Sequence, residues 1–344
     1  MTTAEAPATI RLPADVQAAA PRGWKRYRAR TFYAFVSPWL AGFILLTLFP
    51  LGYALWLSFT NFDGMTGHYR YVGLDNYADI FRDPDALHSL GRTALYTVIT
   101  VPAAIIIGTA LAVLVNRPVR GRAAFRAIFY LPAVVPIVAS ALCFKMLFDS
   151  DFGLLNHIFN QLHLQTIQWL ADPLVFWVMI AMTLWGVGGT MIISLAGLQG
   201  IPGELIEAAK VDGANAWRAF TRISLPLLSP IILFEVITGV IASIQAFIPA
   251  LLLSIQSGTV AATSVPQSNY LFMIHAYAQY FDYGRFGYAS ALLWALFILI
   301  LVLTAVIFKV SGRAVFYESG PDEAAQAAAG QAAGEQATGG KVER

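Results

Sequence analysis

Six runs of mostly apolar residues, each long enough to cross a lipid bilayer, dominate this 344-residue sequence. A membrane-spanning helix needs about 20 such residues. The runs lie at 32–59, 93–115, 125–148, 173–198, 228–254 and 287–308. Only 12% of the residues are charged, whereas roughly 25% is typical of soluble domains. The pattern predicts an all-α, polytopic integral membrane protein with six transmembrane helices.

Basic residues between the runs predict the orientation of the chain. Lys and Arg concentrate at 22–30, 117–126, 210–222 and 309–313, which fall in alternate connections, while Asp is frequent in the intervening ones. Connections rich in Lys and Arg stay in the cytoplasm. Both termini and the connection at 200–226 are therefore predicted to be cytoplasmic. The net charge of +2 gives no indication of a nucleic-acid partner.

The two ends of the chain differ in composition from the middle. We predict a cytoplasmic N-terminal tail at 1–30, a transmembrane domain at 31–316 and a disordered C-terminal tail at 317–344, which is rich in Ala, Gly and Gln. The single Cys143 excludes an internal disulfide framework. Because it lies in an apolar run, we expect a buried, unreactive thiol.

The polar connection at 200–226 is longer than a plain link between two spans requires. Its composition predicts a helix that ends near Lys210, a turn at Asp212 and Gly213, and a second short helix that contains Trp217. From the residues alone, this helical hairpin fits a surface that docks a partner and an interfacial connector equally well.

A motif with fixed spacing runs through this connection. Glu-Ala-Ala is followed after three residues by Gly and after nine more by Ile-Ser-Leu-Pro at 223–226. The segment resembles the cytoplasmic "EAA" loop of membrane subunits in bacterial ATP-binding-cassette (ABC) importers. The resemblance implies that the loop, here called the coupling loop (200–226), docks into a cleft of a separate ATPase subunit. The implied ATPase-coupling residues are Glu207, Ala208, Ala209, Asp212 and Gly213.

Further segments resemble the carbohydrate branch of these permeases, which includes the maltose and glycerol-phosphate types. They are "YVGLDNYADIF" (71–81), 129–156, "LAGLQGIP" (195–202) and "GYASA" (287–291). One departure is "LLLSIQSGTVAATSVP" after the fifth run, where the family often carries Thr-x-Gly-Gly-Pro.

This resemblance implies a permease subunit of an ATP-driven, binding-protein-dependent sugar importer in the bacterial cytoplasmic membrane. The implied partners are a second, different permease, two copies of an ABC ATPase, an extracytoplasmic sugar-binding protein and membrane lipid. ATP and Mg would be bound by the ATPases, and this chain would bind no cofactor itself.

The fourth and fifth runs contain the candidate residues of a sugar path. In the resembling permeases the "GVGGT" stretch of the fourth span lines the sugar site, and the fifth run carries a stripe of small and polar residues. Such a stripe is also typical of close helix packing. The candidate path residues are Trp185, Gly186, Gly189, Gly239, Ser243, Gln245 and Phe247.

The sequence contains no phosphate-binding GxxxxGK[ST] motif. It also shows no clustering of carboxylates, His or Cys that indicates catalysis or metal binding. We therefore expect a transport subunit rather than an enzyme, with no catalytic or metal-binding residues. The alternative is a secondary transporter driven by an ion gradient, and its only support is Glu235, the one carboxylate deep in a run.

The predicted orientation is testable by cysteine labelling. An Ala209→Cys chain in a Cys143→Ser background should react with a membrane-impermeant maleimide only after the cells are permeabilised, because 200–226 is predicted to be cytoplasmic. Labelling of intact cells would contradict the orientation and with it the assignment of the coupling loop.

Overall fold

The computed structural model describes residues 29–64, 69–118, 120–254 and 261–311. Within these ranges the chain consists of helices and turns, with one isolated antiparallel bridge between Thr60 and Tyr71. The predicted tails lie outside the described residues, except that the first helix begins at Ala29. The domain boundaries at 30 and 316 stay predictions.

The chain divides into two units, residues 1–54 and 55–344. The first unit contains α1 (Ala29–Phe43) and a π-helical turn (Ile44–Leu48), and α2 (Phe49–Leu57) begins in it. The helices of the second unit are α3 (Asp75–Arg82), α4 (Pro84–Asn116), α5 (Arg122–Val134), α6 (Ile137–Leu147), α7 (Leu154–Gln161), α8 (Leu174–Trp185), α9 (Gly188–Gly200), α10 (Gly203–Val211), α11 (Ala216–Ala219), α12 (Leu225–Leu227), α13 (Ser229–Ile244), α14 (Ile248–Ser254), α15 (Phe272–Tyr277) and α16 (Phe286–Ser311).

Length and composition allow four to six membrane spans in the described part of the chain. Four helical stretches qualify alone: Phe32–Leu57, Pro84–Asn116, Leu174–Gly200 and Phe286–Ser311. Two more spans are obtained if each of two bent helix pairs counts as one. The predicted all-α, polytopic fold is confirmed.

The third and fifth runs are not the straight helices that the sequence pattern suggests. The run at 125–148 bends by 96° between α5 and α6, and the run at 228–254 stops at Ile244 and resumes at Ile248. Proline explains both positions. Pro136 disfavours helical backbone at Val135, and Pro249 has no N–H to donate to the carbonyl group of Gln245 four residues earlier. Pro136 lies at the first break and Pro249 in the first turn of α14.

Side-chain contacts fix the relative directions of the spans in the second unit. Tyr96 and Thr97 on α4 lie beside Thr183 on α8 and Ser243 on α13, respectively. Further along α4, Thr109 lies 3.2 Å from Ser194 on α9. Hence α8 and α9 run parallel to α4. Helices α4 and α9 therefore end at the same end of the bundle, here called the coupling end.

Helix α13 runs in the opposite direction. Glu235, near its start, accepts a hydrogen bond from Ser194, whereas Ser243, near its end, contacts Thr97. The two basic connections after α4 and α9 thus share one end, as the alternation of charge predicts. Which face of a membrane this end occupies stays a prediction.

Asp83 joins three elements at the end opposite the coupling end. Its Oδ1 caps α4 by accepting hydrogen bonds from the backbone N–H groups of Asp85 and Ala86, and its Oδ2 accepts one from Tyr288 of α16. The Nε2 atom of His275 on α15 lies 3.3 Å from the same Oδ2. Burial raises the pKa of Asp83, but these hydrogen bonds and His275 outweigh it and leave the pKa below its ordinary value.

One prediction about exposure is wrong. Cys143 is exposed on this chain rather than buried. The aromatic segment at 266–281, by contrast, buries Tyr270, Phe272 and His275 among neighbouring helices. Apolar composition is shared by residues that face lipid and residues that face protein, so it cannot distinguish the two.

Asn156 on α7 should be important for stability. Its amide donates to the carbonyl oxygens of Ser150 and Ile167, and its Oδ1 accepts from Ile167 N and Trp169 Nε1. Asn156→Ala removes a buried side chain whose hydrogen-bonding capacity is fully used, at a cost on the order of 3 kcal/mol.

We expect the Asn156→Ala variant to unfold at a temperature roughly 5 °C lower in detergent, measured by tryptophan fluorescence. Asn160→Ala, an exposed position on the same helix, is the matched control and should unfold like the parent protein. Equal unfolding temperatures for both variants would contradict the role of Asn156.

Candidate coupling loop and transport cavity

The coupling loop is a helical hairpin with a tightly defined turn. Helix α10 ends at Val211, and Gly213 follows in the left-handed region with φ +77°. The N–H of Gly213 donates to Lys210 O over 3.0 Å, and the N–H of Ala214 donates to Ala209 O over 2.9 Å. These two bonds form a Schellman motif, which requires a positive φ at the position that Gly213 occupies.

The second arm of the hairpin begins at once. Asn215 caps α11, because its Oδ1 accepts the N–H of Arg218 over 2.8 Å. Helix α11 continues through a π-helical turn (Phe220–Ser224) into α12. The sequence-based prediction of helix, turn and helix is therefore confirmed as a conformation.

The structure exposes most of the predicted coupling residues on this hairpin. Glu207, Ala208, Asp212 and Gly213 are exposed and Ala209 is half-buried. Large apolar side chains are exposed with them: Val211 is 88% exposed and Trp217 72%. A hairpin that holds exposed Trp and Val beside a carboxylate has the composition of a protein-docking surface.

A second feature is a cavity of about 580 Å³ inside the second unit. Its wall is formed by α4, α5, α6, α8, α9, α13 and α14, and most of the lining side chains are apolar. Six of the seven candidate path residues line it: Trp185, Gly186, Gly239, Ser243, Gln245 and Phe247. The structure thus brings together residues from two distant runs, and their role in binding stays a prediction.

Gly189 is the candidate that does not line the cavity. Its neighbour Gly188 instead permits close helix packing, because a Cβ atom there would collide with the backbone of Phe129 and Tyr130 on α5. The "GVGGT" stretch therefore divides into two parts. Gly186 borders the cavity, and Gly188 brings α9 against α5.

Hydroxyl groups supply the polar contacts in the cavity wall. Tyr96 OH lies 2.8 Å from Thr183 Oγ1, and Ser243 Oγ donates to Thr97 Oγ1 over 3.0 Å. The amide of Gln245 donates to Ile241 O over 3.1 Å. A mostly apolar wall with a few placed polar groups is the usual lining of a small-molecule site.

Three breaks between consecutive helices interrupt apolar runs in the second unit. All three lie at this cavity. Val135 precedes α6, Gly186 separates α8 from α9, and Gln245 and Phe247 separate α13 from α14; each of these residues lines the cavity. Non-helical backbone at membrane depth is tolerated where it lines a cavity or is buried in protein. The cavity therefore accounts for the position of the three breaks.

Sequence reasoning missed Tyr96, Thr100 and Thr183 as cavity-lining residues. A signal was present on α4, where Thr93, Tyr96, Thr97 and Thr100 recur at helical spacing within an apolar run. Such a polar stripe indicates a side of the helix that does not face lipid. Thr183 had no comparable signal, since its neighbours in the run are apolar.

Comparison with known proteins identifies the chain. Residues 101–316 match the family model described as "binding-protein-dependent transport system inner membrane component". This protein belongs to that family. Its relatives are ABC transporter permeases, several of them named for sugar uptake, and these are transport components.

The alignments with individual relatives cover nearly the whole length of each relative. This permease is 36% identical over 291 residues to the probable ABC transporter permease protein YesP of Bacillus subtilis, covering 83% of this chain and 92% of YesP. It is 28% identical over 288 residues to the trehalose/maltose transport system permease protein MalF of Thermococcus litoralis, covering 83% and 95%.

A solved structure supports the fold. The chain matches one from a bacterial alginate ABC transporter, crystallised with an alginate pentasaccharide-bound periplasmic protein, with a TM-score of 0.73. The match covers 83% of this permease and 95% of that chain at 21% identity. At this identity the likeness establishes the fold alone.

The turn at Gly213 can be tested without knowing the substrate. Gly213→Val places a β-branched residue at positive φ, which costs about 1–2 kcal/mol. The strained turn should open more often, and trypsin should cleave after Lys210 or Arg218 roughly tenfold faster in the purified protein. Gly203→Val is the control, because Gly203 begins α10 without positive φ and has open space around it. Unchanged cleavage of Gly213→Val would contradict the turn.

Proposed function

We propose that this chain is the permease subunit of an ATP-driven, binding-protein-dependent sugar importer. It forms half of the translocation path, and a second, different permease forms the other half. Two copies of an ABC ATPase, which bind ATP and Mg, drive the transporter from the cytoplasmic side. An extracytoplasmic binding protein delivers the sugar. The complex lies in the bacterial cytoplasmic membrane, with both termini of this chain in the cytoplasm.

The observation that carries the proposal is the exposed, rigidly turned hairpin at the coupling end. Val211 and Trp217 expose apolar surface beside the turn, which suits contact with a partner protein, and Glu207 offers a negative charge to a basic partner. The Schellman turn and the Asn215 cap hold the two arms in a fixed relation. A lever that transmits motion from an ATPase needs this stiffness.

Sugar as the cargo is supported by the relatives and by the cavity. MalF of Thermococcus litoralis is named as a trehalose/maltose permease. The cavity of this chain combines Trp185, whose ring can stack on a sugar face, with the hydroxyls of Tyr96, Thr183 and Ser243 and the amide of Gln245. Polar groups among apolar walls suit a polyhydroxylated ring.

The docking of the ATPase gives the deciding experiment. The tagged chain is purified in mild detergent from its native host, and ATP hydrolysis in the purified sample is measured. We expect an ATPase polypeptide to co-purify. Glu207→Gln should lower the retained hydrolysis roughly tenfold, because it removes a charge-assisted contact worth about 1.5–3 kcal/mol.

Glu204→Gln is the matched control, because Glu204 is exposed on the same helix and lies outside the predicted contact. It should retain hydrolysis at the parent level. Equal retention by Glu207→Gln would contradict the docking role. An isolated chain that moved sugar on an ion gradient in vesicles, with no ATPase present, would establish the secondary transporter instead.

A further inference from the structure

Glu235 on α13 is the one residue with an ionisable carboxylate or a basic group among the described residues that line the cavity. It is only 5% exposed and lies about two turns before Ser243, on the coupling side of the cavity. A carboxylate at this depth is costly to bury, so its presence calls for a physical reason.

The contacts of Glu235 are hydrogen bonds from a hydroxyl group. Ser194 Oγ lies 3.1 Å from Glu235 Oε1 and 3.3 Å from Oε2, and it also lies 3.2 Å from Thr109 Oγ1. A hydroxyl has one hydrogen to donate. The Ser194 proton therefore goes to Glu235, and Thr109 donates to Ser194.

No Lys, Arg or His in the described ranges forms an ion pair with Glu235; the ion pairs found there join Arg82 to Asp79 and His275 to Asp83. The carboxylate is thus oriented by a relay of two hydroxyls, and Glu235 forms part of the cavity lining. This arrangement holds the group in place at the cavity wall.

We propose that Glu235 is a specificity-determining residue that gives this half of the path a negative potential. The path then admits neutral or cationic sugars and rejects acidic ones such as uronates and sugar phosphates. The identification of the cargo as a sugar rests on the proposed function, whereas the selection by charge does not depend on it. The hydroxyls of a neutral sugar can donate to the carboxylate, whereas an anion has no cation in the described lining to receive it.

The size of the effect follows from Coulomb's law. At an effective dielectric constant of about 20, one charge about 10 Å away changes the local concentration of a monovalent ion on the order of tenfold. Cations are enriched and anions depleted, so the ratio between them responds more strongly than either alone.

Charged thiol reagents test this without the natural substrate. Ala242 is exposed, lines the cavity and lies seven residues after Glu235, about 10 Å along the helix. A cysteine is introduced there by Ala242→Cys with Cys143→Ser, in the full detergent-solubilised complex at pH 7.5. Its reaction rates are measured with cationic trimethylammonium-ethyl and anionic sulfonato-ethyl methanethiosulfonate, each divided by the rate with neutral methyl methanethiosulfonate.

We expect the cationic reagent to react at least tenfold faster than the anionic one, after normalisation. Adding Glu235→Gln to the Ala242→Cys chain should lower the ratio of the cationic to the anionic rate to the value found for a control chain with Asn160→Cys instead. Asn160 is exposed and lies outside the cavity. Glu235→Asp should preserve the preference, which separates charge from packing and covers the case in which Glu235→Gln fails to fold.

Equal rates with the two charged reagents in the parent chain, or a preference that persists in Glu235→Gln, would overturn the proposal. Equal rates would mean that a proton or a cation of the partner permease neutralises Glu235. Neither result depends on ATP hydrolysis or sugar uptake, so a failure here is distinguishable from a failure of the proposed importer function.

Discussion

The need to satisfy every backbone polar group inside a hydrocarbon layer governs this structure. A continuous helix does this alone, and most of the apolar length of the chain is helical for that reason. Three breaks in the second unit, at Val135, Gly186 and 245–247, fall within apolar runs, and residues at all of them border one cavity. The fold therefore places these breaks where protein and a cavity border them.

Helix α4 connects this cavity to the rest of the second unit. Its Tyr96 and Thr97 contact α8 and α13 at one level, and its Thr109 joins the relay through Ser194 to Glu235 at another. Its first residue is fixed by the Asp83 cap, which also binds Tyr288 of α16. Polar contacts thus set the register of four spans along one helix, where apolar packing alone leaves sliding less restricted.

The cavity and the coupling loop are linked through short stretches of chain. Helix α9, which carries Ser194 and begins beside Gly186, ends at Gly200 directly before the coupling loop. Helix α12 returns from the loop into α13, which carries Glu235 and Ser243. Under the proposed function, a displacement of the hairpin would reach two walls of the cavity through these two helices.

The sequence by itself determined the helical class, the alternation of basic connections and the coupling hairpin, because these depend on composition and on residues close together in the chain. The turn at Gly213 and the cap at Asn215 are local interactions of this kind. Only the tertiary structure decided which residues meet. Thr183 and Tyr96 are 87 positions apart. Cys143 is exposed and Phe272 is buried, although both lie in apolar stretches of sequence. Cavity walls and burial arise from how helices pack against one another, and a one-dimensional pattern of hydrophobicity does not specify which helices meet.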